Sequence, residues 1–161
     1  MNNSFLKSKN KGFTLIELLI VIAIIATLAV VVFVALNPAQ RLKDSRDARR
    51  TSDVDTILTA IHASIVDNKG TLPAGLTAGM TEAQLGTGTG CTIVTGGCAV
   101  ATVACLDLTT PLVKYLKSLP IDPTTTFTSA KTGYSVIVDT NGIVTVKACG
   151  TEGATYISAS R

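Results

Sequence analysis

The sequence lacks the residues on which most enzymes depend. It holds a single histidine, His62, beside the apolar stripe of a predicted helix, where packing or surface exposure explains it better than a role as a base. Ser64 lies two positions further on, and residues at that spacing do not face each other on a helix as nucleophile and base. The sequence also has no phosphate-binding loop, paired-carboxylate motif or metal-ligand cluster. We therefore predict a protein that is not an enzyme and has no catalytic residue, cofactor, metal site or small-molecule substrate.

Beyond the first dozen residues, the sequence has no excess of basic over acidic residues. The formal net charge is +3, but residues 1–12 carry three of the 14 basic residues and none of the 11 acidic ones, so the rest is balanced. A protein that binds nucleic acid usually presents a basic stripe, and the balanced remainder offers none. The three lysines, Lys7, Lys9 and Lys11, instead precede an apolar segment.

This apolar segment is long enough to cross a membrane. From Phe13 to Leu36, a run of 24 residues, only Thr14, Glu17 and Thr27 are not apolar. As a helix the run would be about 36 Å long, and the hydrocarbon core of a bilayer is about 30 Å thick. We predict that residues 13–36 span the cytoplasmic membrane. Because basic flanks stay on the cytoplasmic side, residues 37–161 are expected to form an extracytoplasmic globular domain.

Four cysteines, Cys91, Cys98, Cys105 and Cys149, all lie in the predicted external part. An even number favours disulfides there, with three possible connectivities. Six residues lie between Cys91 and Cys98, and six between Cys98 and Cys105. This spacing is typical of neither a redox motif nor a zinc site. We expect a Cys105–Cys149 bond that ties a loop to the sheet and a Cys91–Cys98 bond within the loop. In a compartment that is not oxidising, the alternative is four buried free thiols.

A second helix is predicted over residues 38–69. Pro38 must kink the first helix or begin a new one, and Asn37 followed by Gln40 three positions later is typical of a new start. Charges alternate over residues 41–50, which we interpret as a solvated helix face with ion pairs. Gly70 and Pro73 end the helix. Between the charges and this end, an apolar stripe recurs at helical spacing: Val54, Ile57, Leu58, Ile61 and Ile65.

The remaining sequence predicts a loop region and a small sheet. Residues 71–105 form a Gly/Thr-rich loop, in which positions 75–97 hold seven glycines and six threonines. A short helix is predicted over residues 111–118. Within residues 133–161, the segments 134–139 and 143–147 flank Asn141-Gly142, which indicates a β-hairpin, and 156–159 is a third strand or an ordered tail. The predicted fold class is α+β, with a long N-terminal helix whose amphipathic half packs on a small antiparallel sheet.

Gly12 and Glu17 mark the start of the apolar segment. An ordinary secretory signal is cleaved at a small-x-small site after a short apolar core, whereas this run is too long and offers no such site at its end. Gly12 is the small, flexible residue before the run, so a protease cutting there would remove the lysines and keep the membrane helix. A carboxylate inside a membrane segment costs free energy unless it finds a partner, and the new amino group of Phe13 would be one. The alternative is a glutamate tolerated at the membrane interface.

Residues 11–18, Lys-Gly-Phe-Thr-Leu-Ile-Glu-Leu, together with the basic leader and the apolar helix, closely resemble the type IV pilin and type II secretion pseudopilin family. The resemblance is close over residues 11–36 and looser over 37–70. It implies removal of the leader, residues 1–12, by a prepilin peptidase that cuts between Gly12 and Phe13, and N-methylation of Phe13. It also implies that Thr14 and Glu17 belong to the assembly motif, with Glu17 pairing with the Phe13 amine of a neighbouring subunit.

The resemblance further implies a structural subunit that self-associates into a helical extracellular filament for adhesion, motility or DNA uptake, with the help of an inner-membrane assembly platform. Two alternatives remain open: a pseudopilin of a type II secretion system, and a signal-anchored extracytoplasmic binding protein. Major pseudopilins carry Asp-Pro-Trp after the short helix and bind calcium nearby. Here Thr124 follows Asp122-Pro123, and the acids Asp107, Asp139 and Glu152 are scattered, so no calcium site is predicted.

Overall fold

The computed structural model describes residues 12–153 and 155–161. The predicted leader, with Lys7, Lys9 and Lys11, therefore lies outside the described residues except for Gly12. The chain divides into two compact units, one ending at Arg41 and the other beginning at Leu42.

Helix α1, Leu15–Leu36, fills the predicted membrane segment. Thr14 is its N-cap, and every residue of the helix is exposed. The helix ends at Asn37, which adopts the left-handed conformation with φ 40°. Asn and Gly are the residues that take this conformation most readily, so Asn37 is a natural C-cap for an apolar helix that contains no glycine.

Helix α2, Pro38–Asp67, starts immediately after this break. The side-chain oxygen of Asn37 accepts a hydrogen bond from the backbone N–H of Gln40 at 3.4 Å. Of the two alternatives predicted at Pro38, a kink or a new start, the structure shows the new start. The helix stops two residues before the predicted end at Lys69, which has φ 56°, and the N–H of Gly70 donates to the carbonyl of Ile65 at 2.8 Å. These contacts satisfy carbonyls that the last helical turn leaves open.

The sheet has four antiparallel strands in the order β1-β2-β3-β4. They are β1 Ala83–Gln84, β2 Tyr134–Val138, β3 Val144–Ala148 and β4 Ile157–Ser160. The predicted hairpin is confirmed as β2 and β3, and its turn contains Gly142 at φ 87°. The predicted third strand is confirmed as β4. The two-residue strand β1 was not predicted, because it is embedded in the Gly/Thr-rich loop.

The core lies between the apolar stripe of α2 and one face of the sheet. Side chains of β3 alternate between buried and half-buried positions, so Val144, Val146 and Ala148 share the covered face. The five predicted stripe residues are buried or, for Ile65, partly buried against this cluster. The predicted α+β fold, a long helix packed on a small antiparallel sheet, is confirmed.

Two parts of the prediction need correction. The helix predicted over residues 111–118 is absent from the structure. Residues 109–115 instead form a series of hydrogen-bonded turns. A helix of two turns is too short to be stable by itself, and here the buried Leu112 and Leu119 anchor the segment without helical continuity. The segment predicted as a loop over residues 71–105 is not all loop, since it contains strand β1 and the fully buried Leu85 and Val100.

Candidate functional site

The residues that immediately precede α1 are exposed. Gly12, Phe13 and Thr14 are all exposed, and 88% of the Phe13 surface is open. Among the described residues other than its chain neighbour, none approaches within 4 Å of the position where a side chain at Gly12 would begin. A protease therefore meets no steric obstacle from the described part of the chain at the Gly12–Phe13 bond.

Thr14 and Glu17 form a reciprocal capping box at the start of α1. The backbone N–H and the hydroxyl of Thr14 each donate to the Glu17 carboxylate at 2.8 Å, and the Glu17 N–H donates to the Thr14 hydroxyl oxygen at 3.3 Å. This arrangement satisfies N–H groups that have no partner within the helix and places a negative charge at its positive end. In the single chain, Glu17 thus has a local partner in Thr14.

Helix α1 presents an apolar surface on every side. Its other polar side chain, Thr27, donates its hydroxyl to the carbonyl of Ile24 at 2.8 Å and so exposes little hydrogen-bonding capacity. Within residues 12–153 and 155–161, one helical stretch, Leu15–Asp67, which comprises α1 and α2, is long and apolar enough at its N-terminal end to cross a membrane. A helix that is apolar all round must be covered by lipid or by other protein.

A buried charge network connects α2 to two distant loops. The guanidinium of Arg50 is fully buried and donates two parallel hydrogen bonds to Asp122, at 2.6 and 2.8 Å. It also donates to Asp47 at 2.7 Å and to Glu152 at 3.2 Å. Glu152 accepts two further hydrogen bonds from Arg46, one of them at 2.6 Å. The prediction of a solvated charged face is therefore wrong for Arg50.

The network holds its carboxylates in the charged form. Hydrogen bonds from Arg46, and after them those from Arg50, lower the pKa of Glu152 from its ordinary 4.5 to about 2. Burial works to raise the pKa of Asp122, but hydrogen bonds from Arg50 and from Thr124 outweigh it, so the pKa lies below its ordinary value. Both acids stay ionised at neutral pH beside an arginine that cannot lose its charge.

Acid is expected to weaken the globular unit between about pH 4.5 and pH 2, the interval over which the pKa of Glu152 is lowered. A carboxylate whose pKa is depressed on folding contributes stability above its unfolded pKa and loses it as the pH falls through the folded pKa. Urea unfolding of the full chain in detergent micelles at pH 7, 4 and 2.5 measures this loss. The variant Glu152→Gln should show a smaller loss between pH 4 and 2.5, and a wild-type pH dependence in that variant would contradict the assignment.

The disulfides are Cys91–Cys105 and Cys98–Cys149, with Cα–Cα distances of 5.3 and 5.4 Å. The prediction of two disulfides is confirmed, but the predicted pairs, Cys105–Cys149 and Cys91–Cys98, are wrong. The loop folds into a narrow hairpin in which Thr89 pairs with Ala104 and Ile93 with Val100, and the Cys91–Cys105 bond joins its two arms. Cys98 lies near the tip of this hairpin, which packs against the end of β3.

The acids considered for calcium are each held by other groups. Asp139 accepts the N–H of Ile143 at 2.7 Å, Asp107 accepts the N–H of Thr109 at 2.8 Å, and Glu152 binds the arginines. Within residues 12–153 and 155–161, no group of three or more His, Cys, Asp or Glu side chains could hold a metal ion. His62 lies half-buried on α2, and its Nε2 has no hydrogen-bond partner in the described part of the chain.

Comparison with known proteins identifies one match. A family model described as the prokaryotic N-terminal methylation motif matches residues 7–33. This motif is the hallmark of type IV pilins and pseudopilins, and it contains Gly12, Phe13, Thr14 and Glu17. The search of curated proteins and the search of solved structures found no match.

Proposed function

We propose that this chain is the precursor of a type IV pilin-like structural subunit that polymerises through α1 into an extracellular filament. The observation that carries the proposal is the methylation motif at the start of a helix that is apolar and exposed on every side. Such a helix needs a membrane before assembly and neighbouring copies of itself afterwards, because water would be an unfavourable surrounding in both states.

Processing is proposed to occur at the Gly12–Phe13 bond. A prepilin peptidase of the cytoplasmic membrane removes the leader, and the amino group of Phe13 is then methylated. The exposure of both residues supports access to this bond. The globular unit, residues 42–161, lies outside the cytoplasm, which agrees with its two disulfides.

Assembly is proposed to exchange the partner of Glu17. In the single chain the carboxylate caps its own helix through Thr14. When subunits pack side by side, the amine of Phe13 on a neighbouring subunit becomes a cationic partner. In a water-poor surrounding, an ion pair binds the carboxylate more strongly than the uncharged hydroxyl and N–H donors of Thr14 do. An inner-membrane assembly platform supplies the subunits to the growing filament.

The proposed role is structural rather than catalytic, and adhesion, motility or DNA uptake are its proposed outcomes. A type II secretion pseudopilin remains the second candidate, because the same motif supports it. Purification of cell-surface filaments, followed by identification of their main subunit, tests the first candidate. A chain that is cleaved but occurs only in short periplasmic assemblies would favour the second.

Intact-mass analysis of membrane and filament fractions is expected to show a chain that begins at Phe13 and is heavier by one methyl group. The basis is the position of Gly12 within the methylation motif. As a matched control, Gly12→Val should block cleavage and leave the lysines attached, since a β-branched residue at the junction hinders the protease. A wild-type product that retains Met1, or one that begins beyond α1, would contradict the proposed processing.

A further inference from the structure

The tip of the Gly/Thr-rich hairpin is fastened to the residue that follows β3. The hydroxyl of Thr95 donates to the carbonyl oxygen of Cys149 at 2.8 Å. Gly96 has φ 60°, and a side chain there would begin only 2.5 Å from the same oxygen. Glycine is therefore required both by its conformation and by the close approach of the two backbones.

An ion pair holds the peptide groups on both sides of Cys98. The ammonium of Lys147 lies 2.9 Å from a carboxylate oxygen of Glu82 and donates to the carbonyl of Gly97 at 3.3 Å. The N–H of Ala99 donates to the same Glu82 oxygen at 3.1 Å. The residue before Cys98 and the residue after it are thus bound to one pair of charges.

The ion pair is itself fixed on the sheet beside Cys149. Lys147 lies on β3 two residues before Cys149, and its partner across the β2–β3 ladder is Ser135. The buried Ser135 donates its hydroxyl to the second oxygen of Glu82 at 2.5 Å, and its oxygen lies 3.2 Å from the sulfur of Cys98. Cys98 is therefore presented to Cys149 by contacts that do not involve the disulfide itself.

These contacts oppose a strong preference of the chain for the wrong pair. Cys98 lies seven positions from Cys91 and seven from Cys105, but 51 positions from Cys149. Loop closure becomes less probable with about the 3/2 power of loop length, so chain entropy alone favours either local pair by about 20-fold. Something in the folded chain must more than reverse this preference.

We propose that Glu82 and Lys147 are positioning residues that direct Cys98 to pair with Cys149. In the first step the thiolate of one of the two cysteines attacks a disulfide oxidant and displaces one thiolate from it. The other cysteine, as thiolate, then attacks this mixed disulfide and releases the second thiol. The two cysteines together lose two protons and two electrons, and the oxidant, a protein or glutathione disulfide, is reduced to two thiols.

The experiment uses the full chain, reduced and unfolded, then reoxidised in detergent micelles with a glutathione redox buffer. Acid quenching followed by non-reducing peptide mapping gives the ratio of Cys98–Cys149 to the two local pairs of Cys98. We expect this ratio to fall about tenfold in Glu82→Gln and in Lys147→Met early in reoxidation, and Lys147→Arg to remain close to the wild type.

Two controls separate positioning from general destabilisation. Arg49→Met removes an exposed charge elsewhere and should leave the ratio unchanged, while Val138→Ala weakens the buried core without touching the ion pair. If Val138→Ala lowers the ratio as much as Lys147→Met does, or if the ion-pair variants keep the wild-type ratio, the positioning role is rejected.

A second measurement covers variants that refold poorly. For protein purified in the oxidised form, with wild-type circular dichroism, glutathione titration gives the effective concentration of the Cys98–Cys149 pair. A tenfold lower value in Lys147→Met, with an unchanged value for Cys91–Cys105, supports the proposal, and an equal fall in both contradicts it. The outcome is independent of filament formation, so it stands or falls separately from the proposed function.

Discussion

Cells that produce only the Glu17→Ala variant are expected to have no filaments, although the subunit is made, cleaved and inserted into the membrane. The carboxylate is the one charged group within α1. In a packed filament the carboxylate would lie among apolar side chains of neighbouring helices. In such a surrounding, a charged Phe13 amine without a partner is energetically costly. If Glu17 pairs with this amine as proposed, the variant leaves the amine without an anion. The measurement compares the amount of subunit in membranes with that in sheared filaments.

Three variants in α1 and at its N-cap isolate the role of the charge. Glu17→Gln keeps the shape and most hydrogen bonds of the capping box but should still block assembly, because the charge is absent. Thr14→Ala removes the hydroxyl that binds Glu17 yet keeps the carboxylate, so filaments should form in reduced amount. Thr27→Ala removes a hydroxyl whose hydrogen bond stays within the helix and should assemble normally. A normal filament yield from Glu17→Ala would show that the carboxylate is a bystander.

Replacement of Arg50 by methionine is expected to lower the free energy of unfolding by about 3–5 kcal/mol, the usual effect of removing one partner from a buried ion pair. The remaining Asp122 is 3% exposed and would be left without its guanidinium. Asp47 and Glu152 would lose a hydrogen bond as well. Because many domains are stable by only about 5–15 kcal/mol, this loss is a large fraction of the total. Urea unfolding of the full chain in detergent micelles measures it.

The adjacent residue provides a matched control. Arg49 lies 3.7 Å from Asp53, and its side chain is 63% exposed, so Arg49→Met should change the free energy of unfolding by no more than about 0.5 kcal/mol. The double variant Arg50→Met with Asp122→Asn should recover part of the loss, because it removes the stranded charge. If Arg50→Met and Arg49→Met lowered the free energy of unfolding equally, the buried network would contribute no more to stability than an exposed ion pair.

Local patterns predicted the elements whose causes are local. The alternation of β2 and β3 around Asn141-Gly142 and the apolar stripe of α2 each depend on neighbours a few residues away, so both were predictable. The end of α1 and the start of α2 likewise depend on two adjacent residues, Asn37 and Pro38. The methylation motif, which contains Gly12, Phe13 and Glu17, is also a short local pattern and could therefore be recognised from the sequence.

Features that depend on distant partners were not predictable. Arg50 lies in a run of alternating charges that resembles a solvated surface, and only Asp122, 72 positions away, explains its burial. The disulfide pairs depend on how the hairpin of residues 91–105 meets β3, which the cysteine spacing does not determine. Strand β1 forms because Ala83 pairs with Val136 on β2. Two residues are too few to give a strand signal in the sequence by themselves.

The position of Arg50 along α2 has a mechanical consequence. It is the first buried residue of that helix, so tension applied through α1 reaches the globular unit at the charge network before it reaches the apolar packing. Hydrogen bonds between charged groups depend on both distance and angle, whereas burial of apolar surface is non-directional. In a subunit pulled from its N-terminal end, the directional contacts of Arg50 would therefore bear the load before the apolar packing of α2 does.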